Sequence, residues 1–283
     1  MNKKVKKKNP LKFKLKACVV ALSLWGLSAV LPLSSSPVMA AETTSHTAQE
    51  QVAMALFNKG FNLDKLHRYE EALAVNNDLL TRFGNSQDPK IQEAVAEDLL
   101  NKGLDLAELH RYEEALDVNN NLITRFDNSQ DPKIQGAVAS ALNNNGTVLD
   151  NLHHYDDAVV AYNDLLTRFG NSQDPKIQEA VAMALHNKGL DLYNLQHYEE
   201  ALDVNNDLLT RFSNSHNTKI QQAVAHALLN NGQILTNLHR YEEAFVTYNE
   251  LIILFSDLSY DPKMQELLAT ARYHLLGLKM ILS

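Results

Sequence analysis

The sequence predicts an all-α fold, a right-handed α-solenoid of stacked helix-turn-helix hairpins closed by a C-terminal cap helix, and three observations carry that reading. Gly60, Gly103, Gly146, Gly189 and Gly232 stand 43 residues apart, and the same interval separates Tyr69, Tyr112, Tyr155, Tyr198 and Tyr241. A fixed interval of this size marks a repeated supersecondary unit. Within one unit, Ile91, Val95, Leu99, Gly103, Leu106 and Leu109 recur at helical spacing and form one apolar stripe. A second helical run follows directly, and a lone hairpin of this size buries its stripes only by stacking on its neighbours.

Taken in chain order, the first element is an address. Residues 1–16 hold eight lysines and no acid, residues 17–33 are almost wholly apolar, and Val38-Met39-Ala40 offers a small-residue exit. This is the order of a signal peptide, predicted over residues 1–40 with cleavage before Ala41. A membrane anchor is the rival reading, but a span needs about 20 apolar residues. The run here is shorter, holds Pro32 and ends in Ser34-Ser35-Ser36-Pro37. Cys18 and Trp25, each the only one of its kind, leave with the signal, so the mature chain has neither a disulfide framework nor a thiol nucleophile. The expected location is the periplasm, or the medium if the protein is secreted.

The chain holds 26 basic and 34 acidic residues for a net charge of −8; losing the eight signal lysines leaves −16 on residues 41–283. Such a surface repels nucleic acid and anionic membrane, and no membrane span is expected in the mature chain.

Five repeats are predicted at about 47–88, 89–131, 132–174, 175–217 and 218–260, followed by a capping helix at 261–283. Asp88-Pro89 opens the second unit: Asp caps the helix, and Pro at its first position gives up an amide that had no partner. His110-Arg111 interrupts the stripe, and Tyr112-Glu113-Glu114-Ala115 begins a second helix with its acids in the first turn, where the helix dipole favours them. That helix runs through Leu116, Leu122 and Ile123 to Phe126, where equivalent units place Gly84 or Gly170 as a C-cap residue. Asp261-Pro262 repeats the opening of a first helix with no second helix after it.

The stretch Asn101 to Leu116, with its Asn-Lys-Gly and Ala-Glu-Leu-His-Arg-Tyr-Glu-Glu-Ala-Leu, resembles the tetratricopeptide motif, and the resemblance recurs five times over about Thr47 to Asp257. It implies that Gly103 and Ala115 let the paired helices approach and that Tyr112 packs at the turn. It also implies that the first helices line a concave groove holding a protein or peptide partner. Two departures stand out. The usual repeat is 34 residues, so nine more would lengthen the first helix by two to three turns, and the turn glycine is replaced by His67, His110, His153, Gln196 and His239.

At 100° per residue Asn101 lies opposite the apolar stripe. Its equivalents are Asn58, Asn144, Asn187 and Asn230, and a second row, seven residues on, contains Asn151, Asn194 and Asn237. An Asn amide both donates and accepts, which suits an extended backbone, and first helices about 8 to 10 Å apart would let five of them grip about a dozen residues. The rows resemble the asparagine ladders of other helical-repeat proteins. Duplication alone also accounts for a uniform row, since Asn77, Asn120, Asn163, Asn206 and Asn249 repeat equally on the second helix, on its expected outer face.

The histidine column at the turns is too widely spaced for a shared metal, and the acid pairs of the second helices have a structural reason in the helix dipole. No phosphate-binding loop, His-Glu-x-x-His, nucleophile elbow or calcium loop occurs. No cofactor, metal or catalytic residue is therefore expected, and the chain is predicted not to be an enzyme. A stripe through Leu267, Ala271, Leu275, Leu278 and Leu282 can cap the last repeat, while Leu268, Leu276 and Ile281 fall off it. Those three leave open a structural adaptor that assembles through its convex face, or a homodimer through the C-terminal helix.

Overall fold

A computed structural model describes residues 37–258 and 261–283, so the expected signal peptide lies outside the described residues up to residue 36. The chain divides into residues 1–44 and a compact unit of residues 45–283, which carries the repeats. Among the described residues there is no strand. The helices are α1 (Pro37–Lys65), α2 (Tyr69–Phe83), α3 (Pro89–Glu108), α4 (Tyr112–Arg125), α5 (Pro132–Asn151), α6 (Tyr155–Phe169), α7 (Pro175–Asn194), α8 (Tyr198–Phe212), α9 (Thr218–Asn237), α10 (Tyr241–Phe255) and α11 (Pro262–Leu282), with a 3-10 turn at Ser256–Leu258. None is long and apolar enough to cross a membrane.

The hairpins stack as a solenoid. Each odd helix from α3 to α9 packs on the even helix of its own unit, on the even helix of the unit before, and on the neighbouring odd helices. These four odd helices are 20 residues long, against 14 or 15 for the even ones. These four helices and α11 open on capping side chains: Asp88, Asp131, Asp174, Asn217 and Asp261 each accept two backbone N–H groups of the first turn. A main core runs through the stack, from Ala53 and Leu79 to Leu275 and Leu278, and a smaller cluster of Leu73, Leu106, Ala115 and Val148 lies beside it.

The turn and the helix end exchange the roles that glycine chemistry suggested. Gly84 and Gly170 keep right-handed helical angles, as do Ser213 and Ser256 at the equivalent sites, so glycine is not required there. The left-handed residue is instead the turn histidine: φ is 56° to 60° at His67, His110, His153 and His239, and 63° at Gln196. Each histidine Nδ1 lies 2.6 to 2.9 Å from the hydroxyl of the tyrosine two residues on. That contact offsets part of the roughly 1–2 kcal/mol cost of a left-handed L-residue.

The repeated glycine is a socket. A Cβ at Gly60, Gly103 or Gly189 would collide with the amide of Asn76, Asn119 or Asn205, and at Gly146 or Gly232 with the ring of Tyr162 or Tyr248. Three of the uniform asparagines of the even helices, expected on the outer face with no assigned role, tie successive units together. Asn77 accepts from Lys102 at 2.7 Å, Asn120 from Asn145 at 2.8 Å and Asn206 from Asn231 at 3.2 Å.

The stacking joints alternate. Between the first and second units the buried Asp105 carboxyl faces Asp64, and between the third and fourth the buried Asp191 carboxyl faces Asp150. Burial first, and the facing acid second, raise both carboxyls well above the usual range, so each pair keeps a proton that ordinary carboxylates release. The fourth and fifth units are joined by Asn205 donating to Asn231 at 2.7 Å.

Helix α11 packs on α9 and α10. Leu267, Ala271, Leu275 and Leu278 are buried as expected, and so are Met264 and Leu268, because α11 meets two helices rather than one. Leu282, placed on the capping stripe, is 42% exposed instead.

Candidate functional site

The odd helices form one wall of the solenoid, and a groove of about 650 Å³ runs along it. Its lining comes only from α3, α5, α7, α9 and the start of α11. Ala180, Met183 and Ala223 give it an apolar floor, and Asn143, Asn144, His186, Asn187 and His226 bring polar groups to it. Three of those side chains hold a buried polar atom without a hydrogen-bond partner: Asn143 Oδ1, Asn144 Nδ2 and His186 Nδ1. Burying such groups unpaired costs on the order of 1–3 kcal/mol each.

The predicted asparagine row does not present five equal faces to this groove. Asn144 and Asn187 line it, half-buried, while Asn58 is exposed and Asn101 half-buried outside the lining. Asn230, expected on the solvent side, is only 5% exposed with neither amide atom hydrogen-bonded. Its helix α9 is covered by α7 on one side and α11 on the other. In the second row Asn151 bonds its own helix at Thr147 O, 3.0 Å away. Asn237 donates to Tyr193 Oη at 3.2 Å, and Asn194 is exposed. Asn151 and Asn144 also line a shallower depression beside Tyr112, of about 260 Å³.

His186 and His226 were not anticipated. Their rings lie 5.2 Å apart at 33°. Burial, and then His226, push the His186 pKa down to about 4, while burial and the nearby Lys263 lower that of His226. Both are neutral at pH 7, able to accept as well as donate. No group of three or more potential ligands gathers around a metal position among the described residues.

A row of lysines opens the odd helices and α11, and Lys176, Lys219 and Lys263 of that row line the groove. Lys90 reaches Glu50 at 2.9 Å, Lys133 reaches Glu93 at 2.6 Å and Lys219 reaches Glu179 at 2.5 Å, each one unit back. Lys176 would meet Gly136, lays its stem across it with Cδ 3.1 Å from where a Cβ would stand, and reaches Glu97 at 2.6 Å, two units back.

The sequence matches no protein-family model and no curated protein. The fold does match solved structures. A tetratricopeptide repeat protein from Parabacteroides merdae ATCC 43184 superimposes with a TM-score of 0.55 at 18% identity, over 80% of this chain and 74% of that one. The chain has the tetratricopeptide-repeat fold. The same solenoid matches the apo form of RapI at a TM-score of 0.61 and 14% identity, over 81% of this chain and 84% of that one. It also matches Bacillus thuringiensis PlcR, solved in complex with the peptide PapR7 and DNA, at 0.53 and 15%, over 77% and 74%. At these identities the likeness concerns the fold. The groove side chains are this tetratricopeptide solenoid's own.

Proposed function

We propose that this tetratricopeptide protein is an exported, non-catalytic binding scaffold that holds an extended peptide segment in the groove of its odd helices. The observation that carries the reading is the line of hydrogen-bonding side chains, Asn143, Asn144, His186, Asn187 and His226, set along one groove over an apolar floor. A peptide backbone offers both an N–H and a C=O to such groups. Two helix spacings, from α5 to α9, span about 16 to 20 Å, enough for about six residues of strand. Export rests on the signal-like residues 1–40. The peptide named with PlcR is a precedent for a peptide ligand on this fold.

The test is selection of dodecapeptides from a random display library on the mature protein, followed by affinity measurement on an Asn144→Ala, Asn187→Ala variant of matched helicity. Binding should weaken at least tenfold. Selected peptides that bind both proteins alike would place the ligand elsewhere and end the groove reading.

A second reading has its own support at the far end of the chain. Tyr273, Leu276, Met280 and Ile281 of α11 are 58 to 83% exposed, an apolar face through which two copies would pair.

A further inference from the structure

The lysine row contains a gap that bears on what the groove accepts. Glu50, Glu93 and Glu179 occupy one position in the first, second and fourth units, and each is the ion-pair partner of the lysine that opens the next odd helix, while the third unit has Gly136 there. In the fifth unit that position is Gln222. The lysine that opens α11, Lys263, therefore has an amide at the position one unit back where Lys90, Lys133 and Lys219 have a glutamate, and both Lys263 and Gln222 line the groove. Lys263 makes no ion pair among the described residues, whereas the other four lysines of the row each make one.

The surroundings add to this vacancy. The neighbouring imidazole of His226 feels Lys263 and, in the opposite sense, Glu266; partial burial and the Lys263 charge outweigh Glu266 and keep it neutral, so it can hydrogen-bond an oxygen without adding a second cation. The apolar floor at Ala180, Met183 and Ala223 lowers the local dielectric, which strengthens a charge contact relative to one in open water. On a chain with a net charge of −8, acidic peptides are repelled in general, so attraction at one point discriminates more sharply than it would on a neutral surface.

We infer that the groove selects peptides bearing an acidic side chain, whose carboxylate takes at Lys263 the place that glutamate holds in the other units. The inference rests on the groove reading above. The carboxylate would sit at the α9–α11 end with the backbone running back past Asn187 and Asn144. A peptide's C-terminal carboxylate has the same chemistry, and the experiment separates the two sources.

A random dodecapeptide library displayed with blocked C-termini is panned on the mature wild type, on Lys263→Glu and on Gln222→Glu, all at an exposed helix start or groove edge and checked for equal helicity. Wild-type selections should be enriched in Asp or Glu at one register, and Lys263→Glu selections in Lys or Arg there. Gln222→Glu, which supplies the missing partner in cis, should lower the affinity of wild-type binders about tenfold, the scale of one charge-assisted hydrogen bond. Synthetic copies with Asp or Glu changed to Asn or Gln should lose a similar factor. Copies with free and amidated C-termini should bind alike; a requirement for the free terminus would transfer the contact to that group and overturn the side-chain assignment. Binders that need Asn144 and Asn187 but show no acid preference and ignore Lys263 would overturn the inference while leaving the groove reading intact. A library that yields no binder removes both.

Discussion

Asp98 offers a direct reading of what a buried carboxyl does to this solenoid. It lies on α3, 1% exposed, with Oδ2 lacking a partner, and burial pushes its pKa up to about 8. Lys102 opposes the rise and Asp105 adds to it. The equivalent residues Ala141, Ala184 and Ala227 are fully buried alanines, so Asp98→Ala changes one unit toward the others and opens little new space. In the unfolded chain an aspartate has a pKa near 3.9, so between about pH 4 and pH 8 the folded wild type holds one proton more than the unfolded chain. Its stability therefore falls as pH rises, by about 1.4 kcal/mol per pH unit from this group, and the contribution is gone above pH 8. The alanine variant lacks that slope. Urea unfolding of both proteins at pH 5 and pH 7 should show the variant gaining roughly 2–3 kcal/mol on the wild type across the interval. A stability difference that stays constant with pH would mean that Asp98 is ionised in the fold, and the account of its burial would be wrong.

Other perturbations separate the roles assigned to individual residues. Gly146→Ala drives a methyl into the Tyr162 ring and should cost roughly 1–3 kcal/mol, while Gly277→Ala, whose Cβ meets nothing within 4 Å, should stabilise α11 by about 1 kcal/mol; thermal melts distinguish the two signs. At the left-handed turn, His110→Gly should be close to neutral, since relief of strain offsets the lost Tyr112 contact, and His110→Val should cost more than about 1 kcal/mol; denaturant midpoints decide. If two copies pair through α11, Leu276→Glu should convert a concentration-dependent mass in light scattering into that of a monomer, and an unchanged mass would exclude that face.

The fold was legible because its signals repeat. Asp88-Pro89, the stripe from Ile91 to Leu106 and the glycine interval each have a local physical meaning, and each was present in nearly every unit. The turn conformation was less so: the histidines sat where the family has glycine, but the left-handed φ that they and Gln196 adopt goes with backbone bonds that close the helix end, such as Arg111 N–H to Leu106 O and His197 N–H to Leu192 O, which side-chain periodicity does not announce. For the candidate site, uniformity pointed to Asn101 and its equivalents, and packing then treated them unequally, burying Asn230 under α11 while Asn144 and Asn187 stayed at the groove. His186 and His226 came instead from positions that differ between units, where Phe57, Leu100, Asn143 and Leu229, or Met54, Glu97, Ser140 and Met183, stand elsewhere. In a chain of near copies, a position that has diverged is the better pointer to a particular task, because duplication cannot account for the difference. Lys263 was invisible for another reason: it matters through the glutamate that Gln222 is not.

The alternation of joints along the stack has a consequence for how such a gene can change. Near-identical repeats invite unequal crossing-over, which adds or deletes whole units. Loss of the third unit alone would set α7 against α3, and Asp191 would meet Ala107 in place of Asp150, stranding a buried acid without the neighbour that shares its proton. Loss of the second and third units together would set α7 against α1, where Asp64 stands ready to meet it. Viable length variants should therefore differ by 86 residues, two of the 43-residue units, so that the unit inherited by recombination is the pair of hairpins and not the single one.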